Sequence, residues 1–576
     1  MGKSYIKKMS VGGFQVFAEP LSFPLGPLTL LYGPNSAGKS AILDAMLALA
    51  DLCDVRAPCQ PSTLSTEHRV STILGRHWRR QAVHHAAPAD DLQLGALIRI
   101  SGEDWAEAGF ATRAFGEFGT LKPKGQECEG CFSVLEPLLT AEHMDVGVLI
   151  RFQLSRPESI SNSHQVSAME QCIEIALCGA PILRYYEQTH LAFVNLDHAA
   201  LAAWKAAEVL TWIAPQFVDA FALEGGWFGT RISSLNNGYL GSNAVDYIES
   251  QVSDDVFEKV DTAVAAFIEM FDALLRASLR STCDILRIPL VPASRVVPRT
   301  EDVTFLFTAD AIPVSAEPVG FKVDGLPEHL EVTRAAFVSE MEGIGLRKPL
   351  VGINGEHIRR PPNNPIDLVN RLLSEYLFRS SGYFVAAGIH ELTPVGFAGP
   401  VDIKRNTKDS ARKYLVSLEL RDAVGRRFNF NEVGSGLGYV LPVLLAVASS
   451  NAVFLQQPEL HLHPALQAEL ADALIMVLSD ADFGGVEVRG CNQIIAETHS
   501  EHLLLRLLRR VRQAAALDRS LDPHSIGRED LVVLYVDPQP DGASTVKHLR
   551  IARDGEFIDR WPKGFFEERW TELFDE

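Results

Sequence analysis

The feature that most constrains the fold of this chain is a short apolar run followed by a glycine-rich loop and a helix-forming run. Residues 28–32 read LTLLY, the composition of a buried parallel strand, and residues 41–50 predict a helix. Between them, residues 33–40 read GPNSAGKS and match the pattern G-x-x-x-x-G-K-[ST] at every fixed position. This order of strand, tight loop and helix start predicts a phosphate-binding loop in an α/β fold.

The predicted loop offers each kind of group that a nucleoside triphosphate needs. Glycines let the backbone wrap around a phosphate, and the backbone N–H groups at the helix start point at the anion. Lys39 is expected to reach the β and γ phosphates, and the Ser40 hydroxyl is expected to bind Mg²⁺. We therefore predict ATP and Mg²⁺ as cofactors, held by Gly33, Pro34, Asn35, Ser36, Ala37, Gly38, Lys39, Ser40 and Ala41.

Three segments near the C-terminus predict a second set of functional residues. Residues 452–455 and 494–496 are short apolar runs typical of buried strands, and residues 498–500 read THS at the end of the second run. The carboxyl ends of parallel strands line the ligand crevice of an open α/β sheet. Ahead of both runs, residues 431–439 read NEVGSGLGY before a helical run at 440–448, which predicts another helix start able to bind an anion.

Together these segments resemble the ABC-type ATPase head, in the branch shared by SMC-like, OLD-family and bacterial defence ATPases. GPNSAGKS resembles the Walker A loop, EVGSGLGYVLP a divergent signature motif, FLQQPELHLHP the Walker B strand running into the D-loop, and ETHSEH the histidine switch. The C-terminal DGEFIDRWPKGFF resembles the ending of an uncharacterised ATPase family in this branch. The resemblance covers roughly residues 1–115 and 400–576 and implies an α/β P-loop NTPase head with an antiparallel β lobe and a helical insertion.

The resemblance also implies how two chains share each nucleotide. ATP would lie between Walker A of one chain and the signature of the other, so the chain would form a homodimer or a higher even oligomer through its heads. His499 would contact the γ-phosphate within its own chain. His461 and His463 are expected to be packing residues of the D-loop. The residues implied to contact the γ-phosphate across the dimer are Ser435, Gly436 and Gly438.

Gln456 and Gln457 depart from the family pattern, which has two acidic residues or an acid followed by glutamine at the end of this strand. Gln456 takes the position of the Mg²⁺ ligand, and Gln457 takes that of the general base. An amide oxygen can face Mg²⁺, but an amide carries no charge and takes no proton from water at neutral pH. The chain is therefore either a natural slow hydrolase or one in which Gln456 is an engineered change from glutamate.

Glu459 and Glu497 are nearby acids that could compensate for the missing carboxylates. The catalytic set implied is Lys39, Gln456, Gln457 and His499.

The spacing of the two head halves predicts three regions. Residues 1–118 would hold Walker A, residues 119–404 the β lobe and helical insertion, and residues 405–576 the signature, Walker B, D-loop and switch histidine. Residues 140–195 alternate in polarity as strands do, whereas 199–280 and 367–383 predict helices. No heptad repeat persists over several turns, which argues against a long coiled-coil arm.

Charge and apolar patterning exclude several classes of protein. Asp plus Glu number 73 against 53 Lys plus Arg, a formal net charge of −20, so the surface should not coat nucleic acid indiscriminately. Basic clusters at 75–85 and 506–512 leave DNA as a possible partner, although a solvated charged face is the favoured interpretation. No run of 18 uncharged apolar residues and no signal peptide is present, which predicts a cytoplasmic chain without a membrane segment.

Two functions of different classes follow from these patterns. The first is a regulatory ATPase of bacterial anti-phage defence, resembling the Septu (PtuA-like) ATPases, that acts with a separate effector such as an HNH nuclease. The second is a hydrolysis-deficient, ATP-gated scaffold or sensor that binds DNA or a partner. A nuclease of the OLD type is a weaker alternative, because the 76 residues after position 500 are too few for its metal-binding domain.

Overall fold

The computed structural model describes residues 4–54, 91–102, 104, 143–155, 167–186, 191–195, 197–199, 227–231, 274–295, 304–308, 365–379, 381–392, 413–429, 432–479, 491–516 and 526–562. In chain order the strands are β1 (Tyr5–Gly12), β2 (Leu21–Pro24), β3 (Leu28–Tyr32), β4 (Asp91–Ser101), β5 (His143–Ser155), β6 (Ser167–Leu177), β7 (Ala180–Tyr186), β8 (Leu191–Asn195), β9 (Trp227–Arg231), β10 (Leu290–Val291), β11 (Thr304–Thr308), β12 (Phe384–Leu392), β13 (Lys413–Arg421), β14 (Arg427–Phe428), β15 (Ala452–Gln456), β16 (Gln493–Glu497), β17 (Leu531–Pro538) and β18 (Ser544–Leu549). The helices are α1 (Lys39–Leu52), α2 (Pro365–Leu372), α3 (Ser435–Ser449), α4 (Pro464–Leu478) and α5 (Glu501–Ala516), with a π-helical turn at Leu373–Leu377.

The chain divides into two compact units, and each is assembled from separated stretches of sequence. The division into 1–118, 119–404 and 405–576 is a different kind of partition and stays a prediction. The loop unit, named for the glycine-rich loop, contains Met1–Gly26, Gly33–Arg287 and Tyr535–His548. The strand unit, named for the parallel strands described below, contains Pro27–Tyr32, Ile288–Leu534 and Leu549–Glu576.

The loop unit contains an eight-stranded antiparallel sheet with the order β2-β1-β4-β5-β6-β7-β8-β9. In β5 every second residue is buried, and the row shown by Met144, Val146, Val148 and Ile150 forms its inner face. Strict alternation of this kind produces a sheet with one buried side. The strands predicted at 140–195 are confirmed as β5 to β8.

The helical prediction over 199–280 is only partly tested by the described residues. Residues 274–286 are helical, as the pattern indicates. The prediction is wrong at Trp227–Arg231, which form β9 and pair with β8 in antiparallel fashion. The aromatic and β-branched residues of this segment favour a strand. Most of the predicted helical insertion lies outside the described residues.

The strand unit is built on parallel strands in the order β10-β15-β16-β3. All five residues of β3 are buried, as are the three central residues of β15. Strands covered on both faces read as continuous apolar runs, which is why these segments could be located from the sequence. The predicted strands at 28–32, 452–455 and 494–496 are confirmed. Within the part of the chain that the structure describes, no helix is long and apolar enough to span a membrane.

A second sheet of the strand unit has the order β11-β13-β12, with β14 paired to β13. The helix predicted at 367–383 lies before it but is wrong in extent, since it begins at Pro365 and the helical backbone ends at Leu377. Gly382 has a φ of 65°, a left-handed conformation that ends regular structure, and β12 begins at Phe384.

Two arginines of the basic cluster at 506–512 neutralise a buried carboxylate. Asp472 of α4 is only 3% exposed. Its Oδ2 accepts from Arg506 Nη1 at 2.6 Å, and its Oδ1 accepts from Arg510 Nε at 2.8 Å. These contacts join α4 to α5 within the strand unit. These two arginines therefore have a structural role, which differs from the solvated charged face that the sequence favoured for this cluster.

Replacing Asp472 by asparagine should destabilise the strand unit by about 3 kcal/mol, because two partly buried guanidinium groups lose their counter-charge. Urea unfolding followed by circular dichroism would measure the change. Asp559→Asn is the matched control, since Asp559 pairs with the largely exposed Arg550 and should cost about 1 kcal/mol or less. Equal losses in the two variants would contradict the role given to the buried carboxylate.

Candidate nucleotide-binding site

The glycine-rich loop of the loop unit has a backbone that two glycines permit. Gly33 has a φ of 143°, and a Cβ added to it would lie 2.5 Å from the carbonyl oxygen of Val536. Gly38 has a φ of 95°, and a Cβ there would collide with the side chain of Val16. Ser36 also adopts a left-handed conformation, with a φ of 64°. The loop is thus bent into a tight cradle at the two positions where the sequence pattern requires glycine.

The Lys39 ammonium lies inside this loop. Lys39 is 4% exposed, and its Nζ donates to the carbonyl oxygens of Gly33 at 3.1 Å and Pro34 at 3.0 Å. These bonds hold the Lys39 ammonium against the loop backbone. Helix α1 starts at Lys39 after Gly38, which has no side chain to cap the helix. A fixed cation and an N-terminus without a side-chain cap together favour an anionic ligand.

The other loop residues predicted to bind nucleotide differ in exposure. Asn35, Ser36 and Ser40 are exposed, whereas Ala37 and Ala41 are buried. The Ser544 hydroxyl donates to the carbonyl oxygen of Ala37 at 2.7 Å and thereby anchors the middle of the loop. The exposed position of Ser40 at the helix start fits a residue that contacts Mg²⁺ carried by nucleotide phosphates. The residues predicted from the pattern therefore lie together in one loop. Ser544 also holds this loop through its hydrogen bond to Ala37, and the sequence pattern did not indicate it.

Gly33→Ala should weaken ATP binding by at least about tenfold, because a methyl group at this φ forces the loop away from Val536. Isothermal titration with ATP and Mg²⁺ would measure the loss. Gly179→Ala is the control, since Gly179 has a φ of 86° and a Cβ there meets nothing within 4 Å. It should cost about 1 kcal/mol of stability and leave the affinity unchanged. Unchanged affinity in Gly33→Ala would contradict the cradle geometry.

In the strand unit, three strands end at the same sheet edge. Gln456 at the end of β15 is level with Glu497 at the end of β16, which is level with Leu31 of β3. Beyond the strands, the N–H of Gln457 donates to the carbonyl oxygen of Glu497 at 2.7 Å, and the N–H of Thr498 donates to that of Leu31 at 3.2 Å. The predicted residues Gln456, Gln457 and His499 are therefore gathered at one edge.

The strand-end turn, Gln456–His461, has an unusual backbone conformation. Gln457 has a φ of 46° and His461 a φ of 63°, although neither is glycine. Left-handed conformations of residues other than glycine are costly and occur where the surroundings enforce them. Glu459, which is 8% exposed, accepts the N–H of His499 with its Oε1 at 2.9 Å. The turn is thereby tied to the segment that holds the predicted switch histidine.

Arg295 holds the turn from the other side and was missed by the sequence reasoning. It follows β10, which pairs with β15, and the residue is 3% exposed. Burial lowers the pKa of Arg295 to about 10, although the nearby Glu459 carboxylate acts in the opposite direction. Even this value keeps the group charged at neutral pH. Its acceptors are the carbonyl oxygens of Pro292, Tyr439, Gln456, Gln457 and Pro458.

The side chain of Gln456 is fixed by the same segment. Its Oε1 accepts the N–H of Ala293 at 3.4 Å. A neutral amide oxygen in this place can face a cation or a bridging water and supplies no charge. Among the described residues, no group of three or more His, Cys, Asp and Glu side chains forms a metal site. The side chains present thus fit Mg²⁺ bound mainly through nucleotide phosphates.

The predicted signature forms the start of α3. The helix begins at Ser435 after Gly434, and no side chain caps it. Ser435 is exposed and Gly436 is half-buried, whereas Gly438 is buried within its own chain. An exposed helix start without a side-chain cap presents backbone N–H groups that suit an anion. Ser435 and Gly436 are therefore the surface members of the predicted set.

The two histidines predicted to be packing residues of the D-loop are both exposed and differ in their contacts. The His461 ring lies 4.2 Å from the Tyr439 ring, measured between centroids. His463 caps α4, where its Nδ1 accepts the N–H of Ala465 at 3.3 Å. A Cβ added to Gly436 would lie 3.3 Å from the carbonyl oxygen of His461, so the strand-end turn passes close to the start of α3.

Comparison with known proteins identifies an ATPase domain in the second half of the chain. Residues 338–506 match the family described as "AAA domain, putative AbiEii toxin, Type IV TA system". This segment contains α3, the strand-end turn and His499, and the glycine-rich loop lies upstream of it. No curated protein matches the chain. Residues 338–506, less than half of the chain, are therefore similar to an AAA-type ATPase domain.

Solved structures similar to the chain include SMC heads. The Smc head domain with an extended coiled coil, bound to the C-terminal domain of ScpA, from Pyrococcus furiosus is 11% identical over 99% of this chain and 98% of that chain, with a TM-score of 0.33. The SMC head domain from Thermotoga maritima is 10% identical over 95% of this chain and all of that chain, with a TM-score of 0.31. The strands, loop and helices described above confirm the predicted α/β P-loop ATPase fold with an antiparallel lobe.

Proposed function

We propose that ATP joins two copies of this ATPase through their heads and that the pair controls a separate effector, a nuclease, in bacterial anti-phage defence. The observation that carries the proposal is the exposed start of α3 at Ser435, in the same unit as the strand-end turn. The γ-phosphate provides the contact that distinguishes ATP from ADP, because a ligand shifts an equilibrium only through differential affinity. The family description, which names a type IV toxin–antitoxin system, supports a bacterial conflict role.

The chain's own residues would divide the work on ATP between binding and slow hydrolysis. The loop N–H groups and Lys39 would bind the triphosphate, and the Ser40 hydroxyl would face Mg²⁺. When bound, Mg²⁺ neutralises phosphate charge. Gln457 would orient water without accepting its proton, because an amide is not a base at neutral pH. Hydrolysis would therefore be slow, and the closed pair would be long-lived.

The Gln456–Gln457 pair also favours a second candidate, a scaffold or sensor of DNA or protein that closes on ATP without turnover. The two functions differ in their steady-state phosphate release. Turnover equal to that of a variant with both carboxylates restored would eliminate the scaffold, whereas release at the level of a Lys39→Ala variant would favour it. DNA as the recognised partner stays a prediction of the same candidate.

Ser435→Arg should block head association and leave ATP bound to the loop. The long arginine side chain at the exposed start of α3 would sterically prevent the close approach of a partner chain. Its positive charge would also repel the N–H donors of that partner. Light scattering in ATP would follow association, and isothermal titration would follow binding. Ser22→Arg at the edge strand β2 is the control, because Ser22 is also exposed, and it should leave both measurements unchanged.

The effector is tested by co-purification with the products of neighbouring genes. A complex with a nuclease or toxin that Ser435→Arg inactivates would support the proposal. Nuclease activity of the isolated chain would favour the weaker OLD-type alternative. Association that is identical in ATP and ADP, with no partner retained, would contradict the proposed control of an effector.

A further inference from the structure

Arg295 is a buried cation whose partners are all backbone carbonyl groups. A guanidinium has five N–H donors, and the structure gives this one five carbonyl acceptors. Within the part of the chain that the structure describes, its hydrogen bonds all go to carbonyl oxygens, and the nearby Glu459 carboxylate acts on it through charge. Because burying a charge is costly unless its hydrogen bonds are satisfied, this arrangement requires every carbonyl to keep its place.

The acceptors of Arg295 belong to separate elements of the strand unit. Nε donates to the carbonyl oxygen of Tyr439 in the first turns of α3 at 2.7 Å. Nη1 and Nη2 donate to three successive carbonyl oxygens of the strand-end turn, those of Gln456, Gln457 and Pro458, at 3.1 to 3.3 Å. One planar group therefore fixes the start of α3 relative to the turn.

A second contact links the same two elements. The Tyr439 ring lies against the His461 ring, and the guanidinium carbon of Arg295 is 5.9 Å from the Tyr439 ring centre. A displacement of α3 that carried Tyr439 away from the turn would break the hydrogen bond to Nε and open this stack. The start of α3 and the strand-end turn are thus constrained to move together.

We infer that Arg295 is a positioning residue that couples the start of α3 to the strand-end turn. Contact of a partner chain with Ser435 would therefore change the positions of Gln456 and Gln457. The inference rests on the proposed function for the identity of that contact. Its structural part, the mechanical coupling of α3 to the turn, is independent of nucleotide. The role differs from that of Lys39 and Ser40, since Arg295 acts through other residues.

The test compares Arg295→Met and Arg295→Lys in the full chain. Methionine keeps the length and loses all five donors, whereas lysine keeps the charge and up to three donors. Arg295→Met should bind ATP within about threefold of the unmodified chain and lose at least about tenfold in ATP-dependent association, since several charge-assisted hydrogen bonds are removed. The ATP-dependent association of Arg295→Lys should lie between that of Arg295→Met and that of the unmodified chain. Arg426→Met is the control, because Arg426 also lies over a ring, that of Phe428, but is mostly exposed and distant in sequence from the turn.

Hydrogen exchange without nucleotide separates this inference from the proposed function. In Arg295→Met, amides at 439–443 and 456–461 should exchange faster together by at least about tenfold, while those of α5 stay protected. If the unmodified chain fails to associate in ATP, the proposed function fails and the exchange result still decides the coupling. Faster exchange in neither segment, or in one alone, would overturn it. Equal losses of ATP binding and association would also overturn it, because Arg295 would then only support the fold. Should Arg295→Met not fold, Arg295→Lys carries the same comparison.

Discussion

Changing both Gln456 and Gln457 to glutamate should raise the rate of ATP hydrolysis by about 10²- to 10⁴-fold, the usual contribution of a general base. Glutamate at 457 could accept a proton from the attacking water, and glutamate at 456 would return a negative oxygen to the Mg²⁺ environment. The backbone around both positions is already held in place. The N–H of Gln457 donates to the carbonyl oxygen of Glu497, and the N–H of Ala293 donates to the side-chain oxygen of Gln456. Steady-state phosphate release would measure it.

The single variants separate the two roles. Gln457→Glu alone should supply the base, and Gln456→Glu alone should act mainly through Mg²⁺ affinity. The double variant carrying Lys39→Ala is the control for contaminating ATPase and should be inactive. Equal phosphate release by the unmodified chain and the double variant would refute the assignment of β15 as the Walker B strand.

Lys39→Ala should abolish tight ATP binding, with a loss of about 100-fold or more. Lys39 is the one Lys or Arg residue of the sequence 33–40, and its ammonium is held inside the loop by Gly33 and Pro34. Its removal takes away charge-assisted hydrogen bonds to a ligand with several negative charges. Isothermal titration with ATP and Mg²⁺ would show the loss.

The matched control for Lys39 is Lys7→Ala in the same unit. Lys7 pairs with Asp145 at 2.7 Å in the antiparallel sheet, and its loss should leave ATP affinity unchanged. An affinity for ATP in Lys39→Ala equal to that of the unmodified chain would refute the Walker A assignment. A thermal unfolding scan of both variants would exclude loss of fold as the cause.

The parts of the fold that follow from local pattern could be predicted from the sequence. β3, β15 and β16 are uninterrupted apolar runs because both faces of the parallel sheet are covered. The strands of the antiparallel lobe alternate because one face of each is buried. The loop at 33–40 could be located because its backbone needs positive φ angles and close approaches at Gly33 and Gly38. Glycine is the residue that permits both, so the requirement is visible in the sequence.

The parts that depend on tertiary contacts could not be predicted. Arg295 binds carbonyl oxygens, and every residue has one, so no sequence pattern marks its partners. The left-handed backbone of Gln457 and His461 is likewise imposed by the surroundings and has no glycine to indicate it. Gly438 could not be distinguished from Ser435 within the signature, because its burial depends on how α3 packs.

The most direct test of the account is mass photometry of the unmodified chain in ATP, in ADP and without nucleotide. We predict that ATP with Mg²⁺ doubles the mass of the main species and that ADP does so much less. A chain already dimeric through other contacts would need distance measurement between labelled heads, and the distance should then shorten in ATP. The same mass and the same head-to-head distance in all three conditions would contradict the claim that ATP joins two heads.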